Sequence, residues 1–167
     1  SLALAQTYHN SHQWKDALPV IRRAVALKVG IVERDETEQG ERMLLNFGHT
    51  IGHALERLSN YTVPHGLAVG VGMLVESKIA QLFGVLPEKE YRQIQEMLQG
   101  WNLPMKEFSR YSAIQIIKAA QNDKKALDGA LRYVLLERMG KVYAPKGRYA
   151  HPVADAIVKK ACLAYLA

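Results

Sequence analysis

The sequence predicts a mainly α-helical fold, with multiple helices and at most one small β ribbon. Two observations lead to this prediction. Apolar residues recur at helical spacing through most of the chain, and Gly or Pro residues separate the periodic segments. Only residues 131–136, followed by 141–143 across Gly140, have the length and composition of a hairpin. A chain of 167 residues, 49% of them hydrophobic, buries one sizeable core, so we treat 1–167 as a single domain.

The individual helices are predicted from periodicity and from the residues that end them. The first covers 19–32, where apolar residues recur with spacings of four, three and four and Pro19 suits the first turn. A polar turn at 33–38 leads into a second helix that runs to residue 58. A third, apolar helix begins at His65 and ends before Gly84. Further helices are predicted over 87–100, 112–121 and 152–166.

Composition argues against several classes of protein. No run approaches the ~20 apolar residues that span a bilayer, so we expect neither a membrane helix nor a membrane partner. Cys162 is the only cysteine, which rules out an intramolecular disulfide and favours a cytoplasmic location. The net charge of +6 is spread over short basic pairs without interleaved aromatic residues, which is unlike a nucleic-acid surface. A small phosphorylated or carboxylated ligand fits this charge better.

The second predicted helix carries a line of polar side chains. On a helix its members fall within an arc of about 80°, because their spacings are four, four, three and four; they are Glu38, Arg42, Asn46, His49 and His53. Exposure to solvent is the ordinary explanation of a polar helix face, but a solvated face favours Lys and Glu over His and Asn. Gly48 and Gly52 lie beside the line and indicate close approach of a backbone or a ligand. We therefore predict a functional surface.

The histidines of this region suggest a metal site. His49 and His53 are one helical turn apart, and His65 opens the next predicted helix. A catalytic zinc takes three protein ligands, so all three histidines could bind it, or one could serve the chemistry while another group completes the sphere. On one helix Glu38 would lie roughly 16 Å from His49, too far to bind the same ion. We expect the other histidines to be structural or exposed; they are His9, His12 and His151.

Four segments occur in an order and spacing that together are highly specific. They are 42–56 (RMLLNFGHTIGHALE), 65–73 (HGLAVGVGM), 123–125 (DKK) with Gly129, and 132–136 (RYVLL). In this combination the chain resembles the C-terminal domain of the 3-dehydroquinate synthases, a family of sugar-phosphate cyclases. The resemblance implies that His49 and His65 are zinc ligands and that His53 and Glu38 transfer protons. It further implies a set of substrate-binding residues: Lys28, Arg42 and Asn46 for the carboxylate and hydroxyls, and Lys124 or Lys125 for the phosphate.

The same resemblance implies a reaction and its cofactors. Members of the family use NAD and Zn²⁺ or Co²⁺ to convert 3-deoxy-D-arabino-heptulosonate 7-phosphate to 3-dehydroquinate and phosphate. This is a lyase step of the shikimate pathway, and so of aromatic amino acid biosynthesis. The family's enzymes combine an α/β nucleotide-binding domain with a helical domain, and a homodimer is expected at full length. The N-terminal nucleotide-binding domain and the glutamate that completes the zinc sphere are absent from this chain, so we expect weak metal binding and no complete reaction by this domain alone.

Three other functions are compatible with the sequence. Another sugar-phosphate cyclase would share the helix motif and the NAD chemistry but act on a different substrate. A metal-dependent polyol dehydrogenase would also place histidines in a helical domain, but it accounts less well for 123–125 and 132–136. A non-catalytic basic helical module that binds nucleic acid through its lysine pairs would leave the line of polar side chains unexplained.

Overall fold

The computed structural model describes residues 14–123 and 131–165, which form the mainly helical fold that the sequence predicts. The helices are α1 (Trp14–Arg34), α2 (His49–Leu58), α3 (His65–Phe83), α4 (Glu88–Gln99), α5 (Met105–Phe108), α6 (Ala113–Asp123) and α7 (Asp155–Leu163). Short 3-10 helices cover Glu41–Asn46 and Pro145–Gly147. The strands are β1 (Arg132–Tyr133), β2 (Leu136–Arg138), β3 (Lys141–Val142) and β4 (His151–Pro152).

Helix α3 forms the centre of the fold, with α2, α4 and α7 packed around it. Its side chains Val71, Leu74 and Ile79 are buried in the core that these helices share. By length and composition alone α3 could cross a membrane, but 61% of its most apolar stretch is buried within the protein, as in a core helix. The apolar helix predicted from His65 is therefore confirmed, and Gly84 ends it in a left-handed conformation with φ 89°.

Helices α2 and α3 approach each other backbone to backbone at their glycines. A Cβ atom added at Gly72 would lie 1.8 Å from the carbonyl oxygen of Gly48, and one added at Gly52 would lie 3.0 Å from the Cα atom of Val69. Gly48 has φ 83°, a left-handed conformation that glycine adopts without strain. The close approach predicted at Gly48 and Gly52 is confirmed, and the backbone that approaches them belongs to α3.

The prediction of one continuous helix over 38–58 is wrong. Glu38 lies in the turn before the helical residues, with φ 57°. Residues 41–46 form the first 3-10 helix, and the chain then turns at Gly48 before α2 begins. A left-handed residue cannot continue a right-handed helix, and packing against α3 holds Gly48 in that conformation. The line of polar side chains therefore comes from three successive elements rather than from one helix face.

Helix α1 is longer than the predicted helix over 19–32. Pro19 lies inside it rather than in its first turn, and the helix continues there at the expense of one backbone hydrogen bond because the φ angle of proline is already helical. Among the described residues, α1 packs mainly against the following 3-10 helix. Several of its apolar side chains remain exposed, namely Leu18 (45%), Ile21 (46%), Val25 (55%), Leu27 (62%) and Val29 (47%). Apolar periodicity identifies this helix although these side chains are only about half covered by the described residues.

The described residues contain two small ribbons, one more than predicted. The hairpin across Gly140 is confirmed, because β2 pairs with β3 in antiparallel orientation. In addition, β1 pairs with β4, and Tyr133 lies opposite His151. The run 131–136 is thus divided between two partner strands. The unexpected partner, His151–Pro152, lacks the apolar, β-branched composition by which a strand is recognised in sequence.

The remaining predicted helices differ from the observed ones mainly at their ends. Those predicted over 87–100 and 112–121 correspond to α4 and α6. The closing helix predicted over 152–166 begins later, as α7, because β4 occupies the first of these residues. Helix α5 has only four residues and shows no periodicity that could be detected in the sequence.

Candidate metal and substrate site

A cavity of about 360 Å³ opens beside the turn that follows α1. It is lined by Lys28, Glu38, Arg42, Leu45, Asn46 and His49, which come from α1, the turn, the first 3-10 helix and the start of α2. The structure thus brings together the predicted substrate-binding residues that it describes, although they do not share one helix. Glu38 and His49 both line this cavity, and because they do not belong to one helix, the estimate of roughly 16 Å along a helix axis does not apply.

The carboxylate of Glu38 lies among the polar donors of this cavity. The Nδ2 of Asn46 donates a hydrogen bond to its Oε1 at 2.5 Å, and the Nε of Arg42 lies 3.9 Å from its Oε2. Arg42 also donates from Nη1 to the carbonyl oxygen of Glu36 at 2.6 Å. A guanidinium and an amide held in this way can bind the carboxylate or hydroxyl oxygens of a small molecule.

Asp35 organises the turn that carries Glu38. Its carboxylate accepts backbone N–H bonds from Gln39 at 3.1 Å, from Gly40 at 2.8 Å and from Arg42 at 2.9 Å. The bond from Arg42, followed by those from the other two amides, holds the pKa of this carboxyl below its usual range. Sequence analysis placed Asp35 in the polar turn at 33–38 but did not single it out.

Three histidine rings converge at the junction of α2 and α3. The ring centroids are 5.3 Å apart for His49 and His53, 5.4 Å for His49 and His65, and 5.9 Å for His53 and His65. The clustering predicted from the spacing of His49 and His53, with His65 added by the next helix, is therefore present in the structure. His49 also lines the cavity, so the cluster adjoins the predicted substrate residues.

Two of the three histidines have Nδ1 engaged by an oxygen that can only accept a hydrogen bond. His49 Nδ1 lies 3.3 Å from the carbonyl oxygen of Phe47, and His65 Nδ1 lies 3.2 Å from the Oε1 of Glu56. A neutral imidazole that donates from Nδ1 presents an unprotonated Nε2, the form that binds metals. Burial, with smaller contributions from the neighbouring His53 and His65, lowers the pKa of His49 and favours its neutral form.

The donor set suits a divalent metal of the zinc type. Imidazole nitrogens with carboxylate partners are ligands that Zn²⁺ and Co²⁺ accept. One ligand atom from each of His53, Glu56 and His65 can be chosen so that all lie within 4.8 Å of one another. This grouping differs from the pair His49 and His65 that the sequence resemblance implies. Because the carboxylate of Glu56 is hydrogen-bonded to His65, we regard it as a partner of that ring rather than as part of the metal sphere.

A second buried carboxylate holds the beginning of α2. Glu76 of α3 is 0% exposed. Its Oε2 accepts the backbone N–H of Gly48 at 2.8 Å, and its Oε1 accepts that of Ile51 at 3.2 Å. The first N–H groups of a helix have no partner within the helix, and the helix dipole favours a negative charge there. Glu76 therefore fixes the end of α2 from which His49 and His53 project.

Some predicted residues are placed away from this site or lie outside the described part of the chain. His151, expected to be structural or exposed, is 8% exposed and its Nε2 lies 2.9 Å from the carbonyl oxygen of Tyr143, a structural role. Four predicted residues, Lys124, Lys125, His9 and His12, lie outside the described residues. Glu56 and Glu76 were missed because a Glu within a helix ordinarily faces solvent. Glu76 does interrupt an apolar run, which is a signal of a buried charge.

The helical fold described above is shared with parts of two solved synthases. The 2-epi-5-epi-valiolone synthase of Streptomyces hygroscopicus subsp. jinggangensis, solved with NAD⁺ and Zn²⁺, matches 98% of this chain and 45% of its own, with a TM-score of 0.77 and 23% identity. A 2-deoxy-scyllo-inosose synthase complexed with carbaglucose-6-phosphate, NAD⁺ and Co²⁺ matches 85% of this chain and 39% of its own, with a TM-score of 0.72 and 24% identity. Likeness at this level of identity establishes the shared fold alone.

The chain belongs to the 3-dehydroquinate synthase family, because the model described as 3-dehydroquinate synthase C-terminal matches residues 3–126. The 3-dehydroquinate synthase of Vesicomyosocius okutanii is 37% identical over 146 residues, which cover 87% of this chain. That of Haemophilus ducreyi is 43% identical over 124 residues, which cover 74% of this chain. The chain spans 40% and 34% of the lengths of these two relatives. The resemblance stated from the motifs is therefore confirmed.

Proposed function

We propose that this chain is the metal- and substrate-binding part of an enzyme that converts 3-deoxy-D-arabino-heptulosonate 7-phosphate to 3-dehydroquinate and phosphate, using NAD and Zn²⁺ or Co²⁺. The observation that carries the proposal is the junction of two groups of side chains. His49 belongs both to the histidine cluster and to the wall of the cavity that contains Lys28, Arg42 and Asn46. A substrate bound in that cavity would therefore lie beside the metal-binding side chains.

The residues of the cavity suit the chemical groups of this substrate. The planar guanidinium of Arg42 matches a carboxylate, and Lys28 adds a second positive charge on the same cavity wall. Asn46 offers an amide to hydroxyl groups, and its present partner is Glu38. Lys124 or Lys125 would bind the phosphate. When bound, the divalent cation supplies Lewis-acid polarisation of a substrate oxygen and NAD supplies the hydride acceptor.

Two residues of this chain would move protons. His53 lies within the cluster, 5.3 Å from His49 between ring centroids, and the metal ligands implied by the resemblance are its two neighbours. Imidazole titrates near neutral pH and so can take and return a proton at a substrate oxygen or carbon. Glu38, which lines the cavity and accepts a hydrogen bond from Asn46, is the second proton carrier. We therefore assign His53 and Glu38 to proton transfer, and His49 and His65 to the metal.

The exposed apolar face of α1 supports the participation of a further domain. Its members Leu18, Ile21, Val25 and Val29 are each between 45% and 55% exposed. Helical spacing places them on one side of α1, and a contiguous apolar face of this kind marks an interaction surface. The relatives are more than twice as long as this chain. We propose that the remainder of such an enzyme, including its nucleotide-binding domain, covers this face, and that the complete protein forms a homodimer in the cytoplasm.

A complementation assay tests the proposed reaction. The chain is mixed with the separately produced nucleotide-binding part of a family member, NAD and Zn²⁺, and phosphate release from the heptulosonate phosphate is followed. Release is expected with the unmodified chain, and His53→Ala should abolish it. Lys106→Ala removes an exposed cation away from the cavity and is the matched control for Lys28→Ala, which should weaken the reaction. Release that is unaffected by His53→Ala would contradict the assignment.

Calorimetry provides a second test that does not depend on domain assembly. A carbocyclic phosphonate analogue of the substrate is titrated into the chain, and binding is expected to weaken in Arg42→Ala. Binding of carbaglucose-6-phosphate, which lacks a carboxylate, with no binding of the carboxylated analogue, would favour another sugar-phosphate cyclase. The shared fold with the inosose and valiolone synthases is the observation that keeps this second function under consideration.

A further inference from the structure

Glu56 is a buried carboxylate whose observed partner is a histidine of the cluster. It lies on α2, and its side chain is only 12% exposed. Its Oε1 and Oε2 are 3.2 Å and 3.3 Å from the Nδ1 of His65, on the first residue of α3. A buried carboxylate is costly unless it is hydrogen-bonded, so this contact satisfies Glu56 as much as it restrains His65.

The contact determines which ring nitrogen of His65 carries a hydrogen. An ionised carboxylate only accepts hydrogen bonds, so Nδ1 must be the donor. In the neutral ring Nε2 then has the lone pair that a metal requires. The side chain of His65 is 57% exposed, so packing alone does not fix the orientation of the ring. A hydrogen bond to a nearly buried anchor on the neighbouring helix can fix it.

We propose that Glu56 is the positioning residue of His65, holding its imidazole in the Nδ1–H tautomer so that Nε2 faces a divalent cation. This inference rests on the proposed function, in which His65 is a metal ligand. It assigns a role to a residue that the motif comparison left without one. A different role for Glu56, direct coordination together with His53 and His65, is compatible with ligand atoms that lie within 4.8 Å of one another. The two roles predict different behaviour of Glu56 variants.

Long-range ¹H–¹⁵N correlation spectra of the metal-free chain test the anchoring directly. They are recorded above the usual histidine pKa of about 6.5, where the nitrogen shifts identify the tautomer of each neutral ring. His65 is expected in the Nδ1–H form in the unmodified chain and in Glu56→Gln, which keeps an acceptor oxygen. It is expected as a mixture of tautomers in Glu56→Leu. An Nε2–H tautomer in the unmodified chain, or an unchanged tautomer in Glu56→Leu, would overturn the proposal.

Cobalt binding then separates positioning from coordination. Glu56→Leu should lower Co²⁺ affinity by about 10- to 100-fold, the usual effect of removing the hydrogen-bond partner of a metal ligand. Glu56→Gln should lose less affinity and keep the visible Co²⁺ spectrum of the unmodified chain. Equal losses in both variants with a changed spectrum would instead identify Glu56 as a ligand and overturn the positioning role. Absence of Co²⁺ binding by the unmodified chain would count against the proposed metal site, while the tautomer measurement would still decide the anchoring.

Discussion

Gly72 of α3 and Gly48 at the start of α2 are in direct backbone contact, with no room for a side chain between them. A Cβ atom at position 72 would lie 1.8 Å from the carbonyl oxygen of Gly48. This contact sets the distance between the helix that carries His49 and the helix that begins at His65. The geometry of the histidine cluster therefore depends on residues that take no part in binding.

Gly72→Ala is expected to destabilise the domain. The added methyl group must displace α2 or α3. We expect the free energy of unfolding to fall by about 1–3 kcal/mol, the usual cost of overpacking. Urea denaturation followed by circular dichroism measures the change. The matched control is Gly66→Ala on the same helix, where a Cβ meets nothing within 4 Å. The control should be neutral or stabilising because Ala favours helix over Gly; equal losses in both variants would contradict the packing argument.

Glu76→Gln is expected to loosen the beginning of α2. Both carboxylate oxygens of Glu76 accept backbone N–H bonds, whereas the variant offers a single acceptor oxygen and loses the charge that favours a helix N-terminus. A buried donor left without its partner costs about 1–3 kcal/mol, which chemical denaturation will detect. Glu96→Gln alters an exposed Glu of α4 and is the control. Stability losses of the same size in both would show that Glu76 does not anchor the helix.

Asp35→Ala is expected to disorder the turn that carries Glu38 and thereby weaken substrate-analogue binding. Glu36→Ala, at the exposed neighbouring position, should leave binding unchanged and serves as the control.

The turn that Asp35 organises also depends on pH. Because folding lowers the pKa of Asp35 from 3.8, its contribution is present above that pH and disappears as the pH falls through the lower folded value. A carboxyl-carbon NMR titration should give a folded pKa below 3.8; a value at or above it would contradict the three N–H bonds.

Cys162 is expected to be unreactive in the folded protein. Its side chain is 0% exposed, and burial raises the pKa of the thiol to about 12, so the nucleophilic thiolate is scarce at neutral pH. Labelling of the thiol with a disulfide reagent is followed by absorbance. In the native protein it should be no faster than opening of the domain, and in denaturant it should be rapid. Fast labelling of the native chain would mean that α7 does not stay packed on α3.

The sequence was informative wherever one element determines its own conformation. The apolar helix from His65 to the left-handed Gly84 and the turn at Gly140 depend on local periodicity and on glycine, and both were predicted. The interruption at Gly48 was not, because residues 41–58 carry an uninterrupted helical pattern. Whether a glycine in such a pattern continues the helix or ends it is decided by its contact with another element, here Gly72.

The sequence singled out the side chains that meet at the cavity and in the histidine cluster more completely than the residues that hold them in place. The histidines and the polar residues of the cavity stand out because His, Asn and Arg are unusual on a helix face that is otherwise apolar. The carboxylates that hold them do not stand out, because the groups that donate hydrogen bonds to them come close only when the chain folds. Asp35, Glu56 and Glu76 act on backbone amides or on a ring from another segment, and each of these pairings is visible only in three dimensions.

The turn at Gly48 also divides the site into two units that can change separately. The donors that face the cavity, Arg42 and Asn46, belong to the short segment before the turn, whereas the imidazoles belong to the helices after it. Substitutions in the first segment can alter the donors that line the cavity without moving the histidines. A single helix would have transmitted every such change along its axis. The joint thus allows the lining of the cavity to vary while the histidine cluster keeps its geometry.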